Sequence, residues 1–351
     1  MIRWISKYIG WRHWAVLNYN AVFENFFVLL YIALVDSRYD ASFIADSFIL
    51  IIFSIFATTY GYLINDYSDI DLDRLHGKSN TFESDSKAKA LVVIILITLL
   101  SIVSCYPFWR NSYFVLWAVS WFAIATFYSL KPVRLKERGT VGIVFVVMAQ
   151  RVLPALIIFA VFGFTRRTDI ALLLLYILFR GFSSDVNHQL SDYEKDRQTG
   201  TTTFAVAKGY RRVYRIFQLS LHAERILLSL ILVRMSLILP LENWWLKGFY
   251  YLLVAIYFAA LIVHYIKRIN DPAERQRNPF APQQRSLVQF LHHAFPSVGL
   301  PVGLNLILSV KYFPFLLLLL IQIMAKRLYS ADIIKNNFLA QIIVKIWKSV
   351  R

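Results

Sequence analysis

Residues 42–73 read SFIADSFILIIFSIFATTYGYLINDYSDIDLD. The first part, 42–65, is apolar apart from Asp46 and reaches the length, about 20 residues, that a helix needs to cross a bilayer core. The end, Asn65-Asp66-Tyr67-Ser68-Asp69-Ile70-Asp71-Leu72-Asp73, carries four carboxylates. An apolar run this long that passes directly into acid predicts a transmembrane helix whose tip stands in a wet interface. The pattern occurs a second time, where the run 169–188 leads into an acidic segment from Asp185 to Asp196.

Further apolar runs lie near 15–35, 89–108, 112–130, 141–164, 216–238, 246–266, 287–308 and 310–325. His292, His293, Pro296 and Pro301 make 287–308 either a crossing or a re-entrant piece. The chain is 58% hydrophobic and 17% charged, against about 25% charged in soluble domains. The expectation is an all-α, polytopic transmembrane bundle of nine or ten helices over 1–327. The tail 328–351 alternates apolar and basic residues, which predicts an amphipathic helix lying on the membrane surface. Trp4, Lys7, Trp11 and Arg12 precede the first run without a small-residue cleavage site, so no cleaved leader is expected.

The net charge of +17 raises nucleic acid as a partner, but the placement of the charge argues against it. With ten spans, 28 of the 38 Lys and Arg residues fall on one side and seven on the other. That bias orients the chain with the 28-residue side in the cytoplasm of a bacterial-type membrane, facing anionic lipid. A single cysteine, Cys105, makes no internal disulfide, and the seven histidines show no metal-binding spacing.

Both acidic segments sit on the basic side. Asp66, Asp69 and Asp73 occupy i, i+3 and i+7, one helical stripe. Asp185, Gln189, Asp192 and Asp196 form a second stripe at i, i+4, i+7 and i+11, bordered by His188. Like charges at such spacing repel, and an Asp at mid-bilayer costs about 2.5–3.5 kcal/mol. Two rows of carboxylates are therefore expected to line a wet cavity at the interface and to hold cations. Oxygen-only donors suit Mg²⁺, which binds through few carboxylates and shares itself with phosphates. Solvated loop charge is the plainer reading of either segment taken alone.

On these residues the chain resembles the UbiA superfamily of intramembrane prenyltransferases. Asn65, Asp66, Asp69 and Asp73 match its NDxxDxxxD motif. Gln189, Asp192 and Asp196, then Arg197, Gly200 and Thr201-Thr202-Thr203, match its second motif except that Gln189 replaces an Asp. Tyr128-Ser129-Leu130-Lys131-Pro132-Val133-Arg134-Leu135-Lys136 resembles its tyrosine-serine turn and basic loop. The resemblance implies a bundle of about nine helices around a central cavity open at the aspartate loops. It further implies transfer of a prenyl group from a prenyl diphosphate to a hydrophobic acceptor, aromatic or lipid.

An anionic, metal-bridged substrate with an apolar body fits the residues themselves, and a prenyl diphosphate meets all three conditions. Asp66, Asp69 and Asp73 are expected to hold one Mg²⁺ and Asp192 and Asp196 a second, with Asp185 compensating for Gln189. Lys131, Arg134 and Lys136, with Lys78 and Asn80, are expected to contact phosphate, and Asn65, Tyr128 and Gln189 to complete the site. Tyr60, Tyr62, Tyr67, Phe127 and Tyr128 offer ring faces for an allylic cation. Arg151 and Arg180 either reach the substrate or pair with Glu24 or Asp46; Glu224 and Arg225 read as structural. Three alternatives stand beside this reading. A transporter would place its ionisable groups nearer the midplane. Asp73-Arg74-Leu75-His76 resembles enzymes that join a prenyl phosphate to phosphoribosyl diphosphate. A phosphatidyl-alcohol transferase would need a DGxxAR element that the sequence lacks.

Overall fold

The structure, a computed structural model, describes residues 2–75, 77–280 and 286–329. From 330 on, the expected surface helix of the tail lies outside the described residues. In chain order the helices are α1 Ile2–Tyr8, α2 Trp11–Asn18, α3 Ala21–Glu24, α4 Phe26–Val35, α5 Ala41–Leu75, α6 Lys87–Ser104, α7 Ser112–Ser129, α8 Thr140–Val147 and α9 Leu153–Val161. They continue as α10 Arg167–Ser191, α11 Tyr193–Gln198, α12 Phe204–Lys208, α13 Tyr210–Ile238, α14 Trp244–Asn270, α15 Pro272–Arg275, α16 Leu287–Gln289, α17 Leu300–Lys311 and α18 Phe315–Ala325. No β-strand occurs among the described residues.

Among the described residues, seven helices are long and apolar enough to cross a membrane: α5, α6, α7, the joined α8–α9, α13, α14 and the joined α16–α17. The chain is an all-α integral membrane protein. On α6 the spacing shows why both faces are apolar. Ala90, Val93, Ile94 and Ile97 are buried in a protein cluster, while Leu91, Val92, Ile95 and Leu99 on the other side are exposed. A helix with apolar residues on both its packed and its outer face belongs in lipid.

Three expected spans, 15–35, 169–188 and 310–325, are not among the seven. The run 169–188 lies within α10, a single helix of 25 residues that carries Arg167, Asp169, Arg180 and Asp185 and is too charged to count with them. The run 15–35 is broken into α2, α3 and α4. Asn20 caps α3, its side chain accepting from the N–H of Val22 and Phe23, and so starts a new helix inside an apolar stretch. The run 310–325 yields α18 of 11 residues, about 16 Å, half of the bilayer core. The run 287–308 is one helix rather than a re-entrant piece, because π-helical geometry over Phe290–Gly299 accommodates Pro296.

The chain divides into two compact units. The first holds residues 1–25 and 45–224, the second 26–44 and 225–351. In the second, α4 packs on α17, which also contacts α18 and α14. Arg225 there is buried against His264, 3.2 Å away, and Tyr257 donates to the Arg225 carbonyl. The first unit carries every candidate site residue of the two acidic segments and the basic loop. Its amino-terminal helix is clamped by Asp85, whose carboxylate accepts from Lys7, Tyr8 and Lys89 at 2.5, 2.8 and 2.6 Å.

Candidate active site

The carboxylates at the end of α5 face two ways. Asp66 is buried, and its Oδ2 accepts from the N–H and the hydroxyl of Thr81 at 3.2 and 2.6 Å. Asp73 lies on the same line of the helix, and its Oδ2 accepts from Asn80, which also donates to the Asp66 carbonyl. Seven residues return a helix to nearly the same angle, so these two aspartates together hold the 80–81 turn. Asn65 and Asp69, at i and i+4, share a different face. Both accept from the Lys136 ammonium, Asn65 Oδ1 at 2.9 Å and Asp69 Oδ2 at 2.5 Å. Ser129 Oγ donates to the same Asn65 oxygen at 3.2 Å.

Arg134 completes this corner. It pairs with Asp69 Oδ1 at 3.1 Å, donates to Ser68 Oγ at 3.1 Å and binds Glu137 at 2.6 Å. Its backbone sits at φ +41°, a region costly for a side chain with a Cβ. That strain aims a buried guanidinium at the acidic helix end. Burial lowers the pKa of Lys136 below the ordinary lysine value, and the ion pair with Asp69 opposes this only in part. Lys78 and Lys131 are exposed.

The basic loop is tied to the second acidic segment. Gly139 donates to the Thr202 carbonyl at 2.9 Å and forms an isolated parallel bridge with Thr203. Gly139 has φ +53°, which favours glycine there. In the second segment α10 ends at Ser191 and Asp192 joins it to α11. His188 Nδ1 stands 3.3 Å from Asp192 Oδ2. Burial raises the Asp196 pKa, and Asp192 nearby adds to this. Gln189 faces away from these groups: its Oε1 accepts from the Ala205 N–H at 3.1 Å.

A cavity of about 310 Å³ opens between these elements of the first unit. Asn65, Ser129, Tyr128, Asp185 and His188 line it toward the acidic ends, so both acidic segments contribute to one hollow. From Asn65 it tracks α5 through Gly61, Ala57 and Ser54 to Leu50, about 22 Å of helix. Trp121 forms part of the wall. It stands against Gly61, where an added Cβ would meet its ring at 3.3 Å, and donates to the Ala149 carbonyl at 2.6 Å. Ala149 belongs to a π-helical turn, Met148–Val152, that joins α8 to α9 and places Gln150 in the cavity lining. Of the expected rings, Tyr62 and Tyr128 reach the cavity, whereas Phe127 is exposed and Tyr60 hydrogen-bonds Thr126.

Arg151 and the buried Arg180 share Glu24. They approach its Oε2 at 3.7 and 3.8 Å, so the acid partner named as one of their two readings is in place. Arg151 reaches it by crossing Gly181, where any Cβ would come within 2.4 Å of its Cγ. Glu224 accepts from Ser183. Sequence reasoning did not single out Asn20, Trp121 or Gln150; an Asn and a Gln inside apolar runs were the available signal. Among the described residues, no three His, Cys, Asp or Glu side chains converge on one point. Asn65 and Asp69 do converge on one cation, the Lys136 ammonium, and their oxygens are the donor type that suits Mg²⁺.

A model of the UbiA prenyltransferase family matches residues 26–293. The fold is similar to that of a UbiA homolog from Archaeoglobus fulgidus solved with GPP and Mg²⁺, at 18% identity, 87% coverage of this chain, 99% of that one and a TM-score of 0.58. It is also similar to a structure of digeranylgeranylglyceryl phosphate synthase, at 16% identity, 86% and 98% coverage and a TM-score of 0.56. A UbiA homolog from Aeropyrum pernix K1 aligns at 13% identity, 83% and 97% coverage and a TM-score of 0.53. At such identities the likeness is one of fold. A comparison with curated proteins finds no match.

Proposed function

Because the chain belongs to the UbiA prenyltransferase family, we propose that it transfers a prenyl group from a prenyl diphosphate, with Mg²⁺, at the acidic mouth of this cavity. One observation carries the reading: a single hollow is lined by Asn65 from the first acidic segment and Asp185 and His188 from the second, with apolar walls beyond. The Archaeoglobus homolog solved with GPP and with DMAPP, each with Mg²⁺, supports the same donor here.

Asn65 and Asp69 would hold one Mg²⁺ and Asp192 and Asp196 a second; bound there, the ions would neutralise diphosphate oxygens and stabilise the leaving group. Asp66 and Asp73 act on the first set by fixing the 80–81 turn against α5. Arg134 and Lys136 lie beside Asp69 and are placed to donate to phosphate oxygens once a metal takes their carboxylate partner. The apolar shaft from Gly61 to Leu50 accepts the prenyl chain and excludes water. Tyr62, Tyr128 and Trp121 present rings where an allylic cation would form. The basic bias of the loops orients this mouth toward the cytoplasm.

The test is Mg²⁺-dependent release of diphosphate from geranyl diphosphate by the purified protein in lipid nanodiscs. Asp69→Ala and Asp192→Ala should each abolish release while the protein keeps its gel-filtration profile. Full activity in Asp69→Ala would remove the first acidic segment from the mechanism.

A further inference from the structure

Lys208, Arg211, Arg212 and Arg215 fall within eight residues, in a stretch from 198 to 223 that holds no Asp or Glu. All four are exposed, and among the described residues none makes an ion pair or a side-chain hydrogen bond. Other basic residues of the first unit are answered: Lys7 and Lys89 share Asp85, Lys87 meets Asp71, and Arg134 and Lys136 meet Asp69. None of the four lines the cavity, so the proposed diphosphate site does not use them.

The helix they begin fixes their depth. On α13 the three arginines lie within about 100° of arc. The same arc continues as Leu219, Ile226, Leu230, Val233 and Leu237, all exposed, whereas Val213, Phe217, Leu221 and Glu224 on the opposite side are buried. From Leu219 to Leu237 is about 27 Å of helix, near the thickness of about 30 Å of a bilayer's hydrocarbon core. Arg215 stands one turn, about 6 Å, outside that stripe, and Arg211 about 6 Å further. This is the level of the head groups. Tyr210 and Tyr214, stacked at 6.2 Å, and Tyr193, 5.5 Å from Tyr210, mark the same level, as tyrosines do at a membrane–water interface.

An anionic phospholipid matches both halves of this face. Its phosphate can take two parallel N–H bonds from a guanidinium, and its acyl chain can follow the apolar stripe. A soluble phosphate would leave the stripe unused, and a zwitterionic lipid would bring an ammonium to the cations. We propose that Lys208, Arg211, Arg212 and Arg215 form a binding site for an anionic phospholipid of the surrounding leaflet, with an acyl chain on Leu219. The four basic residues belong to the first unit. The general excess of Lys and Arg draws anionic lipid to a whole surface; this face holds one at a defined position. The proposal is independent of the prenyltransferase reading.

The full chain, purified in a neutral detergent, is titrated with phosphatidylglycerol, phosphatidylcholine and glycerol 3-phosphate, and native mass spectrometry reads the first molecule bound. Phosphatidylglycerol should bind at least about tenfold more tightly than either of the others. A basic residue near the head groups contributes about fivefold. Arg211→Gln/Arg212→Gln/Arg215→Gln should therefore erase the lead of phosphatidylglycerol while phosphatidylcholine binding stays within about twofold. The same three positions changed to Lys keep their charge and should keep most of the lead. Lys267→Gln/Arg268→Gln/Arg275→Gln removes as much charge elsewhere and should leave the lead within about twofold of the wild type. Equal binding of the two lipids by the wild type overturns the proposal, as does a lead that survives the first triple variant. Loss of the lead in the Lys variant, or an equal loss in the second Gln variant, overturns it too. Glycerol 3-phosphate binding as tightly as phosphatidylglycerol would assign the cations to a soluble phosphate instead.

Discussion

Replacing Lys136 with Met should separate two jobs that one ammonium performs. In the structure Lys136 Nζ holds Asn65 Oδ1 at 2.9 Å and Asp69 Oδ2 at 2.5 Å, the two oxygens assigned to the metal. A divalent ion must displace the ammonium to reach them. A hydrogen bond to a charged group contributes about 1.5–3 kcal/mol net. Without this competitor, Mn²⁺ should therefore bind the substrate-free protein about 10- to 100-fold more tightly. The lower end is expected because Arg134 keeps its contact with Asp69 Oδ1 at 3.1 Å. Met retains most of the apolar stem, which limits the packing loss. Prenyl diphosphate affinity in the presence of metal should move the opposite way, falling by a similar factor as one phosphate donor disappears. Mn²⁺ titration monitored by electron paramagnetic resonance reads the first effect, and dialysis of labelled geranyl diphosphate reads the second. Weaker Mn²⁺ binding by Lys136→Met would refute the idea that the ammonium stands in the cation's place.

Three further outcomes are expected. Asp66→Asn should retain far more diphosphate release than Asp69→Asn, because Asp66 bonds Thr81 while Asp69 faces the cationic loop; equal loss in the two variants would restore the single acidic stripe. Asp85 is pushed up by burial, but hydrogen bonds from Lys7, Lys89 and Tyr8 outweigh this and hold it at about 2 against an ordinary 3.8. A depressed carboxyl stabilises the fold fully above its unfolded pKa and loses that contribution as pH falls through the folded one. Asp85→Asn should thus lower stability by on the order of 2 kcal/mol at pH 7, with the gap to wild type closing below about pH 4 in thermal melts. Ala57→Trp would fill the shaft about 12 Å of helix beyond Asn65; turnover of long prenyl diphosphates should drop while dimethylallyl diphosphate is still used, and unchanged chain-length preference would move the prenyl group elsewhere.

The sequence carried what is written along one dimension. Apolar runs of bilayer length, acid at two of their ends and the bias of Lys and Arg need no knowledge of neighbours, and the long helices and the cavity shared by both acidic segments agree with the first two. Asp66, Asp69 and Asp73 mark where this stops. Spacings of three, four and seven place residues within about 60° of one another, so pattern alone puts all three on one stripe. Only the arrival of Thr81 and Asn80 on one flank and of Lys136 and Arg134 on the other divides them. Gln189 is similar: its spacing fits the stripe, but the Ala205 N–H draws it away. The π-helical turn that brings Gln150 into the lining has no periodic signature, since one extra residue in a helix alters no composition and shifts only the angle of the residues after it. Glu24 could be named as a partner for Arg151 and Arg180 because a charge in an apolar run must find its opposite, and few were available. Which of them it met, and that both met the same one, required Gly181 to let Arg151 cross α10. Where a residue's role is set by burial or repulsion it is legible from its own chemistry; where it is set by which of two faces a neighbour covers, only the packing decides.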